Sequence, residues 1–536
     1  IKIAAISCSN HNNSLTSAKY DFTIDNIWFP HKEIVDGVNS RKPDLIVHLG
    51  DQFYEGNPTN CDKSGGFSSY LDYIYHWSMW CMAYGDLSRN VPTLMLVDDH
   101  DVYQINLWGQ EGDEHSWPSL KWNELTPENY KNRWWQYETD GGGYTLPGRW
   151  VNMVQRTMTS HMPDPPDPTP VKQGIEVYFT DILYGNISFA LVEDRKFKTA
   201  ASPLFPDAKI IDGRPENLNF NVCTKANIKD AKLLGDRQLK FLENWVTDWD
   251  RVDMKCLLSQ TIFTNLSTTN AKTNAKDNMK EIEGLMPGQI PNKDHILLPD
   301  FDSNSWPQHE RNKVLEIIRW GSAFMIGGDQ HLASVVKHGI DSFDDAGYSF
   351  CVPATSNIAP RRWFPPMKGG NSDSSMPEYT GNYEDAFCNK ITVLAAANPY
   401  DSDIEPAILH DRATGYGFIS IDKTKRTITM NCYPRFTADT SNHQFLGFPF
   451  TINISDNDGR KAIGTFGEIT IKGLSNYPVI MLTEAESGQV VYCKRAESYS
   501  VKPPYFENKI YNLKVGSPEK KIWKEFSVES LFFFFL

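Results

Sequence analysis

The chain has 536 residues, too long for one compact core, so two domains or large insertions are expected. Its 40 % hydrophobic and 12 % aromatic content is globular, and a formal charge of −14 argues against a nucleic-acid binder, which would present a basic face. No run approaches the ~20 apolar residues of a membrane helix, and the apolar tail Leu531–Leu536 is far too short to be one.

A strand-like run, Ile1–Ile6, opens the chain without a Met or signal peptide, which predicts a processed N-terminus. A helix over Pro30–Asn39 and a strand over Leu45–Leu49 follow. Residues 57–69 form a Gly/Ser loop with Cys61, and the aromatic stretch Tyr70–Tyr84 reads as a buried helix whose rings pack a core. Thr93–Val97 is an apolar run that ends in an acidic box. From Ile105 to Pro170 regular alternation fails. This insertion, with Trp108, Trp117, Trp122, Trp134, Trp135 and Trp150, suits a lid or substrate wall, with a short helix at Val151–His161.

The sheet pattern resumes at Ile187–Val192. In Gly235–Trp249, Leu239, Leu242, Trp245 and Trp249 share one helical face. Cys256–Ser259 is another buried strand, residues 264–305 read as a polar loop, and the helix Gln308–Trp320 feeds a strand at Ala323–Ile326. Strands alternating with helices imply a largely parallel sheet. Past residue 390, Gly415–Asp422, Thr427–Pro434 and Phe448–Ile454 alternate as half-exposed strands. The turn cluster Asp456-Asn457-Asp458-Gly459 divides a catalytic domain, 1–457, from a C-terminal β-domain, 458–536. In the latter, short strands fall at Ile469–Ile471, Val479–Leu482, Val490–Lys494 and Ile510–Val515.

The cysteines are 8, 61, 81, 223, 256, 351, 388, 432 and 493. With Cys8 on a metal, the other eight allow up to four disulfides in an exported protein, while Cys256 and Cys351 sit in apolar runs as buried thiols.

Five apolar runs end in chemically active residues. These are Ser7-Cys8-Ser9-Asn10, Gly50-Asp51-Gln52-Phe53-Tyr54-Glu55, Asp98-Asp99-His100-Asp101, Glu193-Asp194-Arg195-Lys196 and Gly327-Gly328-Asp329-Gln330-His331. Taken singly, each has a plain reading as a core thiol, a solvated turn or a surface ion pair. Taken jointly, at the carboxyl ends of strands where α/β sheets bind ligands, they read as one polynuclear metal site. Asp51 can bridge two ions, its neighbour Gly50 allowing the sharp turn. Cys8, Tyr54 and His331 make a mixed S/O/N set that favours Fe³⁺. Asp99 and Asp329 supply oxygens to a second ion, which suits Ca²⁺, with Mn²⁺, Mg²⁺ or Zn²⁺ as alternatives. Such a pair clamps a phosphoryl group and activates water, His100 protonates the leaving alkoxide, and Arg195 grips the phosphate.

Gly50-Asp51-x-x-Tyr54, the acidic box and Gly328-Asp329-Gln330-His331 resemble the metallophosphoesterase signature in its alkaline phosphatase D (PhoD-like) form. Ser7-Cys8-Ser9-Asn10, Glu193-Asp194-Arg195 with Phe197, and Leu234-Gly235-x-x-Gln238 with Leu242 and Trp245 are similar to it too, over residues 1–450. The resemblance implies an αββα sandwich, an exported phosphomonoesterase or phosphodiesterase, and an Fe³⁺ plus Ca²⁺ centre. Carried over, the ligands are Cys8, Asp51, Tyr54, Asp99, Asp329 and His331, with His100 and Arg195 catalytic. Asn10 departs from it, standing where relatives often carry Gln. Two other classes compete. One is a surface-structural or binding protein that self-associates or attaches through the C-terminal β-domain. The other is a hydrolase of another ester, such as a sulfate ester.

Overall fold

The computed structural model describes residues 1–12, 23, 26–115, 140–270, 295–359, 361–400, 402, 404–436 and 443–530. Trp117, Trp122, Trp134, Trp135 and the tail Leu531–Leu536 lie outside them.

In chain order the main elements are β1 (Lys2–Ile6), α1 (Lys32–Ser40), β2 (Leu45–His48), α2 (Phe67–Asn90), β3 (Thr93–Met95) and α3 (Gly148–Thr159). Next come β4 (Thr180–Tyr184), β5 (Ile187–Leu191), α4 (Gly235–Thr247), β6 (Met254–Thr261), α5 (Gln308–Trp320), β7 (Phe324–Gly328), β8 (Ser334–His338) and β9 (Tyr348–Cys351). The remainder are strands: β10 (Gly381–Glu384), β11 (Lys390–Ala396), β12 (Gly415–Asp422), β13 (Thr427–Pro434), β14 (Phe450–Asn453), β15 (Val479–Glu484), β16 (Val490–Arg495), β17 (Ile510–Ser517) and β18 (Ile522–Glu529).

Two large sheets result, in the orders β14-β13-β12-β1-β2-β3 and β10-β11-β8-β9-β7-β6-β5-β4. They are mixed rather than largely parallel. β1, β2 and β3 run parallel, as do β5, β6, β7 and β9, but the flanking strands pair antiparallel. Past residue 351 the strands follow one another through loops rather than long helices, and short connections permit antiparallel pairing.

The two sheets face each other. Ile3, Ala5, Val47 and Leu96 of the first share one core with Phe189, Leu258 and Ile326 of the second. The alternate residues Ala4, Ile6 and Ile46 face outward onto α1, α2 and α3, where Ile34, Trp80 and Val151 cover them. On the other side Ala190, Leu257 and Met325 pack beneath Leu242 and Trp245 of α4 and Leu315 and Ile318 of α5. Burial on both faces is why these strands lack polar alternation. In α2, Tyr73, Trp80 and Tyr84 are buried, with Trp77 stacked on Trp80, whereas Tyr75 is exposed.

A four-stranded antiparallel sheet, β16-β15-β17-β18, closes the chain around Leu482, Tyr492 and Leu513. The sequence reading omitted β18, whose side chains are mostly exposed. This sheet rests against the outer side of α4 and α5. Trp249 and Val252 pack on Val479 and Cys493, and Arg495 donates to the carbonyls of Val252 and Trp249 at 2.6 Å each. Among the described residues one disulfide, Cys223–Cys388, is formed rather than four, and the other seven cysteines are free thiols.

Candidate metal centre

Because β1, β2 and β3 are parallel, and β5, β6 and β7 likewise, their carboxyl ends release loops at one edge of the two sheets. The turns there are tight. Gly50 has φ +112°, and a Cβ on it would clash with Cβ of Asp98; one on Gly328 would clash with Ser7 Oγ. Cys8, Asp51, Asp329 and His331 all have left-handed backbones, with φ of 58°, 53°, 62° and 61°. Non-glycine residues rarely adopt that region, and strain of this kind collects at functional sites.

Five of the six predicted metal ligands meet in overlapping donor groups. Cys8, Asp51 and His331 offer atoms within 4.8 Å of one another; so do Asp51, Asp99 and His100, and so do Asp98, Asp99 and Asp329. Asp51 and Asp99 each belong to two groups. The sixth, Tyr54, donates its hydroxyl to Asp51 Oδ2 at 2.7 Å, and that hydroxyl's oxygen is 3.4 Å from His331 Nε2. His331 Nδ1 lies 2.7 Å from the carbonyl of Ala359, which leaves Nε2 directed at the cluster. Ser7 Oγ sits 3.0 Å from Cys8 Sγ.

The cluster is short of positive charge. Burial pushes the Asp51 and Asp98 carboxyls well above their ordinary range and Asp329 up to about 7. Burial and the Asp51 carboxylate raise the Cys8 thiol. Asp51 Oδ1 and Asp98 Oδ2 are buried without a hydrogen-bond partner. Unpartnered buried oxygens are costly, and a cation satisfies them. The donor chemistry therefore fits bound metal.

The acidic box divides its labour. Asp101 accepts the backbone amides of Asp51, Gln52 and Asp98 at 3.0, 2.8 and 2.9 Å, tying the β2 loop to the β3 loop. Asp99 and His100 face the centre. His100 Nδ1 lies 2.6 Å from Glu55 Oε2, and its ring is 4.2 Å from that of Tyr54. Burial alone would lower the His100 pKa, but the carboxylates of Glu55, Asp51 and Asp99 outweigh it and hold the imidazole protonated well above its usual range.

Arg195 is buried among carboxylates. Nε donates to Asp98 at 2.6 Å, Nη1 pairs with Asp302, and Nη2 reaches Asp329 at 2.7 Å and Asp99 at 3.9 Å. Its neighbours in the run serve the fold: Glu193 accepts the amides of Tyr178 and Phe179, Asp194 accepts Thr261 N, and Lys196 pairs with Glu193.

Several site residues escaped the sequence reading. Asp300 and Asp302 belong to the segment read as a polar loop, yet both are fully buried. They hold Arg361, whose Nε and Nη2 donate at 3.1 Å each. Asn106 donates its backbone amide to Asp99 Oδ2 at 2.7 Å. The run of four polar residues before Trp306, Asp302 to Ser305, was the available signal for Asp302, and the pair Arg361-Arg362 beside Trp363 for Arg361. Of the insertion's tryptophans, Trp108 and Trp150 are buried packing residues and offer no wall to a substrate.

The match to a family model agrees with the residue pattern. The family model described as PhoD-like phosphatase matches residues 3–362. A solved structure of PhoD aligns at 14 % identity with a TM-score of 0.44, over 81 % of this chain and 65 % of that one. This chain thus spans about 65 % of that protein's length. No curated protein matches the sequence.

Proposed function

We propose that this chain, which belongs to the PhoD-like phosphatase family, hydrolyses phosphate esters, monoesters or diesters, at a two-cation centre on its strand ends. The observation that carries the reading is the sharing of Asp51 and Asp99 between buried donor groups, which is what two adjacent cations require. Cys8, Tyr54, His331 and Asp51 would hold the first ion, and their donor set suits Fe³⁺. Asp51, Asp99 and Asp329 would hold the second, with oxygens that suit Ca²⁺ ahead of Mn²⁺, Mg²⁺ or Zn²⁺. Such a pair supplies Lewis-acid polarisation and an acidified water.

The chain's own residues do the rest. Arg195 directs Nη2 at the Asp99–Asp329 pair and Arg361 flanks it, so two guanidiniums neutralise and orient the phosphoryl oxygens. His100, kept protonated by Glu55, delivers its proton to the leaving alkoxide. Glu55 in turn fixes the imidazole, which leaves Nε2 to do the transfer.

We place the reaction in a metallophosphoesterase αββα sandwich, residues 1–457, with 458–536 as a β-domain that contributes no ligand. Export to an oxidising compartment fits the Cys223–Cys388 disulfide, and no described helix is long and apolar enough to cross a membrane. The test is elemental analysis of purified protein together with a panel of phosphate and sulfate esters. Iron plus a second cation, with phosphate release, supports the reading. Metal-free protein that hydrolyses phosphate esters at full rate, or metal-loaded protein that hydrolyses none, overturns it.

A further inference from the structure

We infer that Cys61, Asp72 and His76 form a second, separate metal site for a borderline-soft divalent cation such as Zn²⁺, which anchors the loop carrying Glu55. Their donor atoms lie within 4.8 Å of one another, and none belongs to the strand-end centre. Asp72 and His76 sit one turn apart on α2, so they share a helical face. Cys61 reaches that face from the loop before the helix. The three donors are a thiolate, an imidazole and a carboxylate, the set zinc takes.

Hydrogen bonds already gather the three side chains: the Tyr103 hydroxyl lies 3.1 Å from Asp72 Oδ2 and 3.4 Å from His76 Nδ1, and His76 Nδ1 is 3.8 Å from Asp72 Oδ2. His76 Nε2 and Cys61 Sγ are 3.8 Å apart, a long contact for a thiol donor. A tetrahedral Zn²⁺ with ordinary bond lengths spans roughly 3.5 Å between its N and S ligands, so an ion closes the gap with a shift of a few tenths of an ångström. His76 Nδ1 lies 3.0 Å from the carbonyl of Asp72; an N–H donating there leaves the Nε2 lone pair facing the sulfur. Asp72 Oδ2 accepts the hydroxyl of Tyr103 at 3.1 Å and the amide of Asp62 at 3.1 Å, which holds the carboxylate beside the cluster. Tyr103 or a water completes the shell. On binding, the Cys61 thiol releases its proton to solvent and the thiolate becomes the ligand.

The site's position gives it a role. Cys61 N donates to the carbonyl of Glu55 at 2.7 Å, and Glu55 holds His100. Tyr103 lies two residues past the end of the acidic box. A cation here would lock the loop from Glu55 to Ser64 onto α2.

The probe is Zn²⁺ alone, added to the full-length wild-type protein during thiol alkylation, with each cysteine read by mass spectrometry. Cys61 is half-buried and Cys81 exposed, so Cys81 is the internal control. Zn²⁺ at about ten times its Kd is expected to slow alkylation of Cys61 about tenfold and leave Cys81 unchanged. The protection should vanish in Asp72→Asn, and Cys61→Ser should retain one Zn²⁺ less than wild type. If Cys61 reacts equally fast with and without Zn²⁺, or is protected equally in Asp72→Asn, the site does not exist. The wild-type labelling decides the matter even where a variant fails to fold.

Discussion

At the strand ends, Asp51, Asp98 and Asp329 are buried with raised proton affinities, and two of their oxygens lack partners. In the C-terminal sheet, most charged groups stay near the surface and pair off, and the buried Arg495 is met by Glu519 and the carbonyls of Val252 and Trp249. Lys509 meets Glu484 at 2.9 Å and Glu507 at 2.7 Å, and Lys514 meets Glu525 at 3.1 Å. Exposed pairs of this sort contribute little, and they ask nothing of a ligand. The strand-end charges cannot be satisfied within the chain, because Arg195 and Arg361 are outnumbered by carboxylates. One region is electrostatically complete and the other is built to be completed by cations.

The largest effect should come from removing the shared carboxylate. Asp51→Asn is expected to lose both cations and to lower kcat/KM by at least about 10⁴-fold, more than deleting a general acid does. Normal metal content in this variant, measured by elemental analysis, would remove Asp51 from the bridging role.

His100→Ala touches the same edge without touching the cations. Turnover should drop about 10²–10⁴-fold while metal content stays near wild type. Glu55→Gln should cost less, about tenfold in kcat, and shift the acidic requirement of the pH–rate profile to lower pH. Equal metal loss in His100→Ala and Asp51→Asn would mean that the histidine is a ligand.

The comparison also fixes the sign of a pH effect. In metal-free protein the pKa of Asp329 is about 7 against an ordinary value near 3.8, so the folded state binds its proton first. Stability from that group is complete below about pH 4 and lost as pH rises through 7. Asp51, Asp98 and Asp101 act in the same direction, and buried His11 and His48, lowered to about 4 and about 3, act in the opposite one. Buried His31, His331 and His338 are lowered too and offset the carboxylates, so the effect is read against the metal-loaded form: on going from pH 7 to pH 5 metal-free protein should gain on the order of 1 kcal/mol per pH unit relative to it. Bound cations keep the centre ionised, which leaves the histidines in control, and the metal-loaded protein should lose stability over the same range. Melting curves of both forms at pH 7 and 5 read this difference in slope, and parallel slopes would refute it.

The smallest effect should follow truncation after Asn457. The catalytic residues stay in place, but Trp249 and Val252 lose Val479 and Cys493. A small soluble phosphate ester should be hydrolysed within about twofold of the wild-type rate, with a melting temperature about 2–5 °C lower. A folded truncation without activity would make the C-terminal sheet part of the site.

Much of the centre was legible because its residues follow apolar runs. A strand buried on both faces seldom carries charge (Lys255 is an exception here), so the polar residues that follow it stand at the sheet edge, and five such edges point to one place. Cys8, Asp51, Tyr54, Asp99, Asp329 and His331 all lie on the loops that follow those runs, and the structure brings the six together. The α4 and α5 helices were likewise written in their apolar spacing.

What one dimension could not contain was partnership. Whether a strand pairs parallel or antiparallel depends on how the intervening chain returns, so the mixed sheets were invisible in apolar runs alone. Asp101 looked like a fourth chemical group, yet it is an anchor for three backbone amides, because the β2 loop happens to turn beneath it. Asp302 and Arg361 lie in stretches with no periodic signal, some 60 residues apart, and acquire meaning only from each other and from Arg195. Burial with a partner separates a structural charge from a functional one, and both burial and partner are properties of the packed chain. The sequence by itself determined which residues could do chemistry; the tertiary structure alone decided which of them face one another.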